Sequence, residues 1–337
     1  MMVKGLFDWQ TRFEQLDNCG DPLVKLQEIV KWEQFRSSLE TIRDKERKSN
    51  AGRKSFDVIL MFKVMILQSL YNLSDDQLEF QIRDRLSFMR FLGLGIGDTV
   101  PDAKTIWFFR EQLTEAKLIE NLFKQFDKFL SESGFSAKKG QIIDASIVAA
   151  PKQRNGRDEN KAVKQGEIPE DWSENKKRQK DTDARWVKKN GKTYFGYKNH
   201  INIDAGHKLI RNFEVTEASV HDSNVFEDIL DKKNSSRDVW ADSAYSSKEK
   251  REALKEKGFR GRIQCKGYRN KKLSDFQIAC NHKRAKIRCR VEHVFGVQAM
   301  RAGSLIIRTI GIVRAKAKIG LRNLAYNIDR YCLLAMA

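Results

Sequence analysis

The chain has 337 residues, with 64 Lys+Arg against 45 Asp+Glu and a net charge of +19. Hydrophobic residues at 40% and aromatics at 10% are enough to bury a core, which excludes a disordered polycation. The first fifteen residues are interrupted by Asp8, Arg12 and Glu14, no segment approaches the ~18 apolar residues of a membrane span, and Cys19, Cys265, Cys280, Cys289 and Cys332 form no C-x-x-C pair. The expectation is a cytosolic protein with reduced thiols and a polyanionic partner, nucleic acid ahead of an anionic membrane surface.

In chain order, Val58 to Leu70 is apolar enough for a buried helix that ends at Asn72-Leu73-Ser74. Ser74-Asp75-Asp76-Gln77 reads as a capping box, so a second helix starts there and runs through Arg83. Phe88 to Leu92 and Ala103 to Leu118 follow, with Gly93, Gly95 and Gly97 in the loop between them. This succession is compatible with a DNA-binding helix-turn-helix and equally with any small helical bundle.

From Gln141 the period changes to that of strands. Ile142 to Val148 is one, and Tyr194 to Ile203 and Lys208 to Val215 are two more, joined by a turn at Asp204-Ala205-Gly206-His207. Between the first two, Pro151 to Thr193 holds 13 Lys+Arg and 8 Asp+Glu with few apolar residues, and reads as a long solvated excursion. A short helix at Ser223 to Leu230, with Asp222 as its N-cap, leads to a strand at Asp238 to Ala241. A helix at Ser247 to Lys257 and a fifth strand at Gly261 to Cys265 come next. Lys283 to Met300 then carries Ile287, Val291, Val294 and Phe295 as one stripe of an amphipathic helix. The predicted architecture is α/β, a mixed five-stranded sheet flanked by helices and preceded by an all-α N-terminal domain. The domains are a helical one at 1–135 and a second at 136–337 that carries the polar insertion at about 151–193.

Charge is concentrated late in the chain. Arg251 to Arg330 has 21 Lys+Arg against 5 Asp+Glu, a surplus of 16 out of the total +19 that leaves +3 elsewhere. Inside that basic quarter lies Glu292, and before it two acids occupy apolar strands, Asp144 and Asp242. A carboxylate in such a strand is costly unless it binds a cation or is hydrogen-bonded, and two on neighbouring strands recruit a divalent metal or raise one pKa. Three converging carboxylates suit Mg²⁺ or Mn²⁺ and two-metal phosphoryl chemistry. Singly, each has a simpler explanation: a strand-end acid bonded to amides, or Glu292 paired with Arg288 one turn before. His221 and His200 read as structural residues, while Trp172 and Trp186 suit either base stacking or docking on the domain surface.

The stretches Ile143-Asp144-Ala145-Ser146-Ile147-Val148-Ala149-Ala150-Pro151, Tyr194-Phe195-Gly196-Tyr197-Lys198-Asn199-His200, Val215 to Asp222, Ala241-Asp242-Ser243-Ala244-Tyr245 and Arg290-Val291-Glu292-His293-Val294-Phe295-Gly296 resemble, in order, those of bacterial insertion-sequence transposases of the DDE type. The group most similar is that of insertion sequence five, and the likeness extends over most of the chain. The resemblance implies a ribonuclease-H-like catalytic domain in which Asp144, Asp242 and Glu292 are the catalytic triad and hold two Mg²⁺ or Mn²⁺ ions. The acids are spaced 98 and 50 residues apart, so they meet only once the sheet is assembled. Related enzymes set Tyr, Arg and Lys seven before, four before and seven after the Glu. Here these positions are Ala285, Arg288 and Ala299, so only the Arg role transfers, and Arg301 is a nearby candidate for a further phosphate contact.

The expected function is a DNA transposase that cuts at the ends of an insertion element and joins them to target DNA, with Arg288 and Arg301 on DNA phosphates. Its partners would be the terminal inverted repeats and target DNA, together with a second copy of the chain in the DNA complex, and no membrane. A nuclease of the same fold that lacks strand transfer, or a non-catalytic DNA-binding derivative, are the alternatives.

Overall fold

A computed structural model describes residues 8–43, 54–268, 271–303 and 305–336. The sequence predicts a helical segment for end recognition or protein contacts from about Ala51 to Glu115, and its first residues, 51–53, lie outside the described residues. By compactness the chain divides into a unit of residues 1–126 with 324–337 and a unit of residues 127–323.

The first unit is helical: α1 (Asp8–Asn18), α2 (Pro22–Ile29), α3 (Arg36–Glu40), α4 (Val58–Tyr71), α5 (Asp75–Asp84), α6 (Leu86–Leu92), α7 (Ala103–Glu115) and the start of α8 (Leu118–Glu132). Helix α4 is the buried one, as its apolar run predicts, with Phe62, Val64, Met65, Ile66 and Leu67 all inaccessible. Asp57 caps it by accepting the amides of Ile59 and Leu60, and Asn72 ends it in the left-handed region at φ 50°. The Ser74 box has both of its hydrogen bonds, the Gln77 amide donating to Ser74 Oγ at 3.2 Å and the Ser74 amide to Gln77 Oε1 at 3.4 Å. Buried Arg110 on α7 donates to both oxygens of Asp75, at 2.5 and 2.8 Å, and to Gln68, locking α4, α5 and α7 together.

The second unit is built on β1 (Gln141–Ala149). Beyond it come α9 (Arg157–Gln165), α10 (Glu174–Gln179), β2 (Arg185–Lys189), β3 (Lys192–Asp204), β4 (Ile210–Glu217), β5 (Asp238–Trp240), α11 (Lys248–Glu256), β6 (Arg260–Gly261), α12 (Asp275–Ala302) and α13 (Ile312–Ala335). The unit boundary falls within α8 and within α13. Strand β1 pairs antiparallel with β3 on one side and parallel with β5 on the other. Strand β4 adds antiparallel to the far edge of β3, and β6 parallel to β5. The order β4-β3-β1-β5-β6 is that of a ribonuclease-H-like mixed sheet. Opposite faces carry separate cores. One gathers Ile143, Phe226, Ile229, Val239, Tyr245 and Leu254; the other gathers Val148, Phe195, Tyr197, Val215, Ala315 and Ile319.

Several local expectations are corrected. The polar stretch 151–193 is solvated, as expected, over most of its length, but it is not without structure: it carries α9, α10 and β2, and Val163 and Trp172 are buried in it. Trp172 is buried there, donating Nε1–H to Glu159 at 2.7 Å beneath the ammonium groups of Lys176 and Lys180. That excludes Trp172 from base stacking, while Trp186 stays 42% exposed on β2. The stretch also supplies a sixth strand, β2, paired with the first residues of β3. The helix expected at Ser223 to Leu230 is only a three-residue 3-10 turn, Asp222–Asn224, and the fifth predicted strand shrinks to Arg260–Gly261. No single helix among the described residues is long and apolar enough to cross a membrane.

Candidate active site

Asp144 lies mid-way along β1 on the face shared by Val148, which α12 and α13 cover. Its neighbour across the parallel pair follows from register. Gln141 faces Val239 and Ile142 faces Trp240, an offset of 98, and the same offset joins Asp144 to Asp242. Continued past the paired residues, that register brings Asp242, just beyond the end of β5, towards Asp144, and the Asp242 charge is felt at the Asp144 carboxyl. Asp242 leaves β5 and caps the turn Ser243–Tyr245, accepting the Ala244 amide at 2.7 Å.

Glu292 comes from α12, whose start is fixed by a capping box between Ser274 and Gln277. Val291 and Val294 are buried beside it, whereas the Glu292 side chain is 57% exposed. One helical turn earlier, Arg288 donates from Nη1 to Asp144 Oδ2 at 2.9 Å and from Nη2 to Glu292 Oε1. One guanidinium thus joins the strand acid to the helix acid. Arg301 is not part of this group: nine residues on, it lies ~13 Å further along α12 and about half a turn around it. Ala285 and Ala299, each seven residues from Glu292, share its helical stripe and offer no hydrogen-bonding side chain.

The Asp144 side chain is only 16% exposed, and burial pushes its carboxyl up to about 6. The Ala145 amide, donating to Oδ1 at 2.8 Å, and the Arg288 charge oppose that rise, the Asp242 charge adds to it, and the Lys189 charge opposes it again. Below the acids, the turn Asp222–Asn224 packs on the turn Ser243–Tyr245. The Tyr245 hydroxyl is buried in the fields of Asp144, Asp222 and Asp242, and burial first, then these charges, raise its pKa well above the usual value. Asp222 is not the N-cap predicted from sequence. His221 takes that place, its Nδ1 accepting the Ser223 amide, and Asp222 pairs with Lys198 at 2.8 Å. His200 is fully buried against Thr216, and desolvation pulls its pKa down to about 4, so it is a neutral structural residue.

Behind the site, a buried trio missed by sequence reasoning ties three elements together. Asn199 on β3 and Asn323 on α13 exchange amide hydrogen bonds at 2.9 and 3.0 Å, and Gln298 on α12 donates to Asn323 at 3.1 Å. Asn199 faces Ser146, two residues from Asp144, so the trio fixes the Glu292 helix against the Asp144 strand.

Among the described residues no group of three or more His, Cys, Asp or Glu is arranged to hold a metal ion. The donor set nevertheless fits a hard divalent cation, because it is all carboxylate, and a positive guanidinium already stands between two of its members. Asp144 and Glu292 would hold such an ion only with Arg288 withdrawn from their oxygens.

A ribonuclease-H-like sheet with one acid on its central strand, one just past the end of the neighbouring strand and one on a following helix defines a class of phosphodiester-processing domains. Comparison with known proteins agrees with that. The family described as a transposase domain (DUF772) matches residues 11–112, and the Transposase DDE domain matches residues 136–328. The chain belongs to the insertion-sequence-type DDE transposases, metal-dependent enzymes that cleave DNA and transfer strands. Among solved structures, a piggyBac transposase synaptic complex with hairpin DNA is similar at a TM-score of 0.47 and 13% identity, over 94% of this chain and 75% of that one.

Proposed function

We propose that the protein is an insertion-element transposase of the insertion-sequence-five group that cuts at the element's ends and joins the freed 3′ ends to target DNA. The β1–β5 register, whose offset matches Asp144 to Asp242, and the Arg288 link from Asp144 to Glu292 support this reading. Asp144, Asp242 and Glu292 would hold two Mg²⁺ or Mn²⁺ ions. Bound there, the ions supply an activated water or 3′ hydroxyl and charge stabilisation of the leaving oxygen.

The chain's own residues do the rest. Asp144, rigid in the sheet, and Asp242, fixed by the Ala244 amide, orient the site, while Glu292 on the exposed side of α12 closes it from above. Arg288, released from the two carboxylates, is placed to neutralise the scissile phosphate. The basic surplus after Arg251 surrounds Glu292 and offers a phosphate track with steep salt dependence. The helical unit serves end recognition or protein contacts. Joining two ends calls for at least two copies of the chain in the DNA complex, working in the cytosol on chromosomal DNA.

The test is an assay with duplexes taken from the DNA flanking the gene, in Mg²⁺. Cleavage followed by joined product from pre-cut ends is the expected result. Free 3′ ends with no joined product would instead identify a nuclease, and no cleavage by wild type with binding retained would identify a non-catalytic derivative.

A further inference from the structure

Among the described residues one cation, Arg288, bonds the three acids, reaching Asp144 and Glu292, while no lysine or arginine pairs with Asp242. Its guanidinium is divided between its two partners, Nη1 donating to Asp144 Oδ2 at 2.9 Å and Nη2 to Glu292 Oε1. The other oxygen of Asp144, Oδ1, accepts the Ala145 amide at 2.8 Å. The oxygen that the β1 backbone leaves open to a cation is therefore the one that Arg288 holds.

A structural arginine in this chain is built differently. Arg110 is buried, takes both oxygens of the single carboxylate of Asp75 and adds a bond to Gln68, the closed fork of a fixed clamp. Arg288 is partly exposed and makes one bond to each of two carboxylates, and its buried Nε has no acceptor among the described residues. Glu292, one of those two partners, lies mostly in water, which screens the pair and leaves it weakly held. The guanidinium is thus split where it could be forked. A phosphodiester, with two oxygens on one phosphorus, offers it the bidentate geometry that Asp144 and Glu292 together do not.

The two ligands of the site then compete and cooperate through one side chain. A divalent cation at Asp144 and Glu292 meets a positive charge already on the same oxygens, and a phosphate that draws the guanidinium away removes that competitor. We infer that Arg288 is a latch that couples metal binding to DNA binding: it keeps the affinity of Asp144 and Glu292 for a divalent cation low until a DNA phosphate takes its guanidinium. By reciprocity, the cation raises affinity for the DNA end by the same factor as the DNA end raises affinity for the cation. The inference rests on the transposase reading above and adds the regulation of its site, which is loaded on DNA and kept lean away from it.

The test measures Mn²⁺ binding by the full chain, from the electron paramagnetic resonance signal of the free ion. Wild type is compared with Arg288→Ala and Arg288→Gln, each first checked for a cooperative melt in chelator, and Glu292→Gln shows how much of the binding belongs to the acids. Without DNA, both Arg288 variants are expected to bind Mn²⁺ at least ~10-fold more tightly than wild type, the reverse of the loss that a merely structural arginine would give. The second arm adds a duplex with a pre-cut end from the DNA flanking the gene, with Mn²⁺ binding by duplex alone subtracted. Wild type is expected to tighten by about 5- to 150-fold, and Arg288→Gln by at least ~5-fold less. Equal or weaker Mn²⁺ binding by both variants without DNA, or the same tightening on DNA in wild type and variant, overturns the latch; cleavage of the flanking duplex by wild type in Mg²⁺ then leaves the transposase reading standing. Failure of wild type to cleave, with both shifts as expected, overturns the catalytic reading and leaves the latch standing.

Discussion

Changing Asp144 to Asn should stabilise the metal-free protein at neutral and alkaline pH. The carboxyl titrates near 3.8 when free and at about 6 in the folded chain, because burial outweighs the help of Arg288 and the Ala145 amide. At about 1.36 kcal/mol per pH unit, that difference is on the order of 3 kcal/mol. The sign follows from proton counts. Between roughly pH 3.8 and 6 the folded state holds a proton that the unfolded state has released, so stability falls as pH rises through this window. Above it the buried carboxylate is charged in both states and the full penalty is felt. An amide of the same shape avoids the penalty. The variant should therefore gain ~3 kcal/mol over wild type at about pH 8, roughly 6–12 °C in Tm for a unit of this size, and lose that advantage below about pH 4. The assay is thermal or urea unfolding of both proteins in chelator across that range. A variant that is less stable than wild type at about pH 8, with the deficit vanishing below about pH 4, would refute the reasoning, since it would show that attraction to Arg288, and not desolvation, governs the carboxyl.

Glu292→Gln should abolish Mg²⁺-dependent cleavage while leaving duplex binding within a few-fold of wild type, because Glu292 is mostly exposed and carries no packing; equal cleavage by the variant would remove Glu292 from the site. Arg288→Ala should cost on the order of 1–3 kcal/mol in chelator, as Asp144 and Glu292 lose their shared cation, and differential scanning fluorimetry should then show a larger Tm gain from added Mg²⁺ than in wild type. Gly196→Ala should be among the most damaging single changes, ~4 kcal/mol or more, since backbone and not a movable side chain blocks the new methyl; a soluble variant with wild-type Tm would refute that close approach. Asn323→Ala should cost ~2–3 kcal/mol by stranding the buried amides of Asn199 and Gln298, which urea unfolding can measure.

The strongly periodic parts of the fold were legible in the sequence. Helix α4, the Ser74 capping box, β1, β3 and β4 stand where apolar spacing and cap chemistry put them, while the Glu292 helix, expected from Lys283, starts at Asp275 behind its Ser274 cap. The spacing of 98 between Asp144 and Asp242 proves to be the β1–β5 register itself, which no sequence rule states because pairing partners are unknown until the sheet forms. Charge density misled the reading of residues 151–193. Asn190-Gly191 between two basic runs is a hairpin signal in its own right, yet polar strands lack the apolar alternation on which strand prediction relies. The 3-10 turn at Asp222–Asn224 opens one residue before the predicted helix and stops after one turn, and only the ion pair with Lys198 shows that the acid is engaged elsewhere. The Asn199, Asn323 and Gln298 trio had no signal, since amides on three separate elements, 124 residues apart for Asn199 and Asn323 and 25 for Gln298 and Asn323, become partners only through tertiary packing.

The helical unit takes its first 126 residues from one end of the chain and residues 324–337 from the other. Its interior includes Ile328 and Cys332, and Tyr331 stands edge-on to Phe126 at 6.1 Å. During synthesis that interior stays unfinished until the whole catalytic unit has been made and the last turns of α13 have left the ribosome. A chain cut before residue 324 would keep Asp144, Asp242 and Glu292 and still lack a wall of its helical unit.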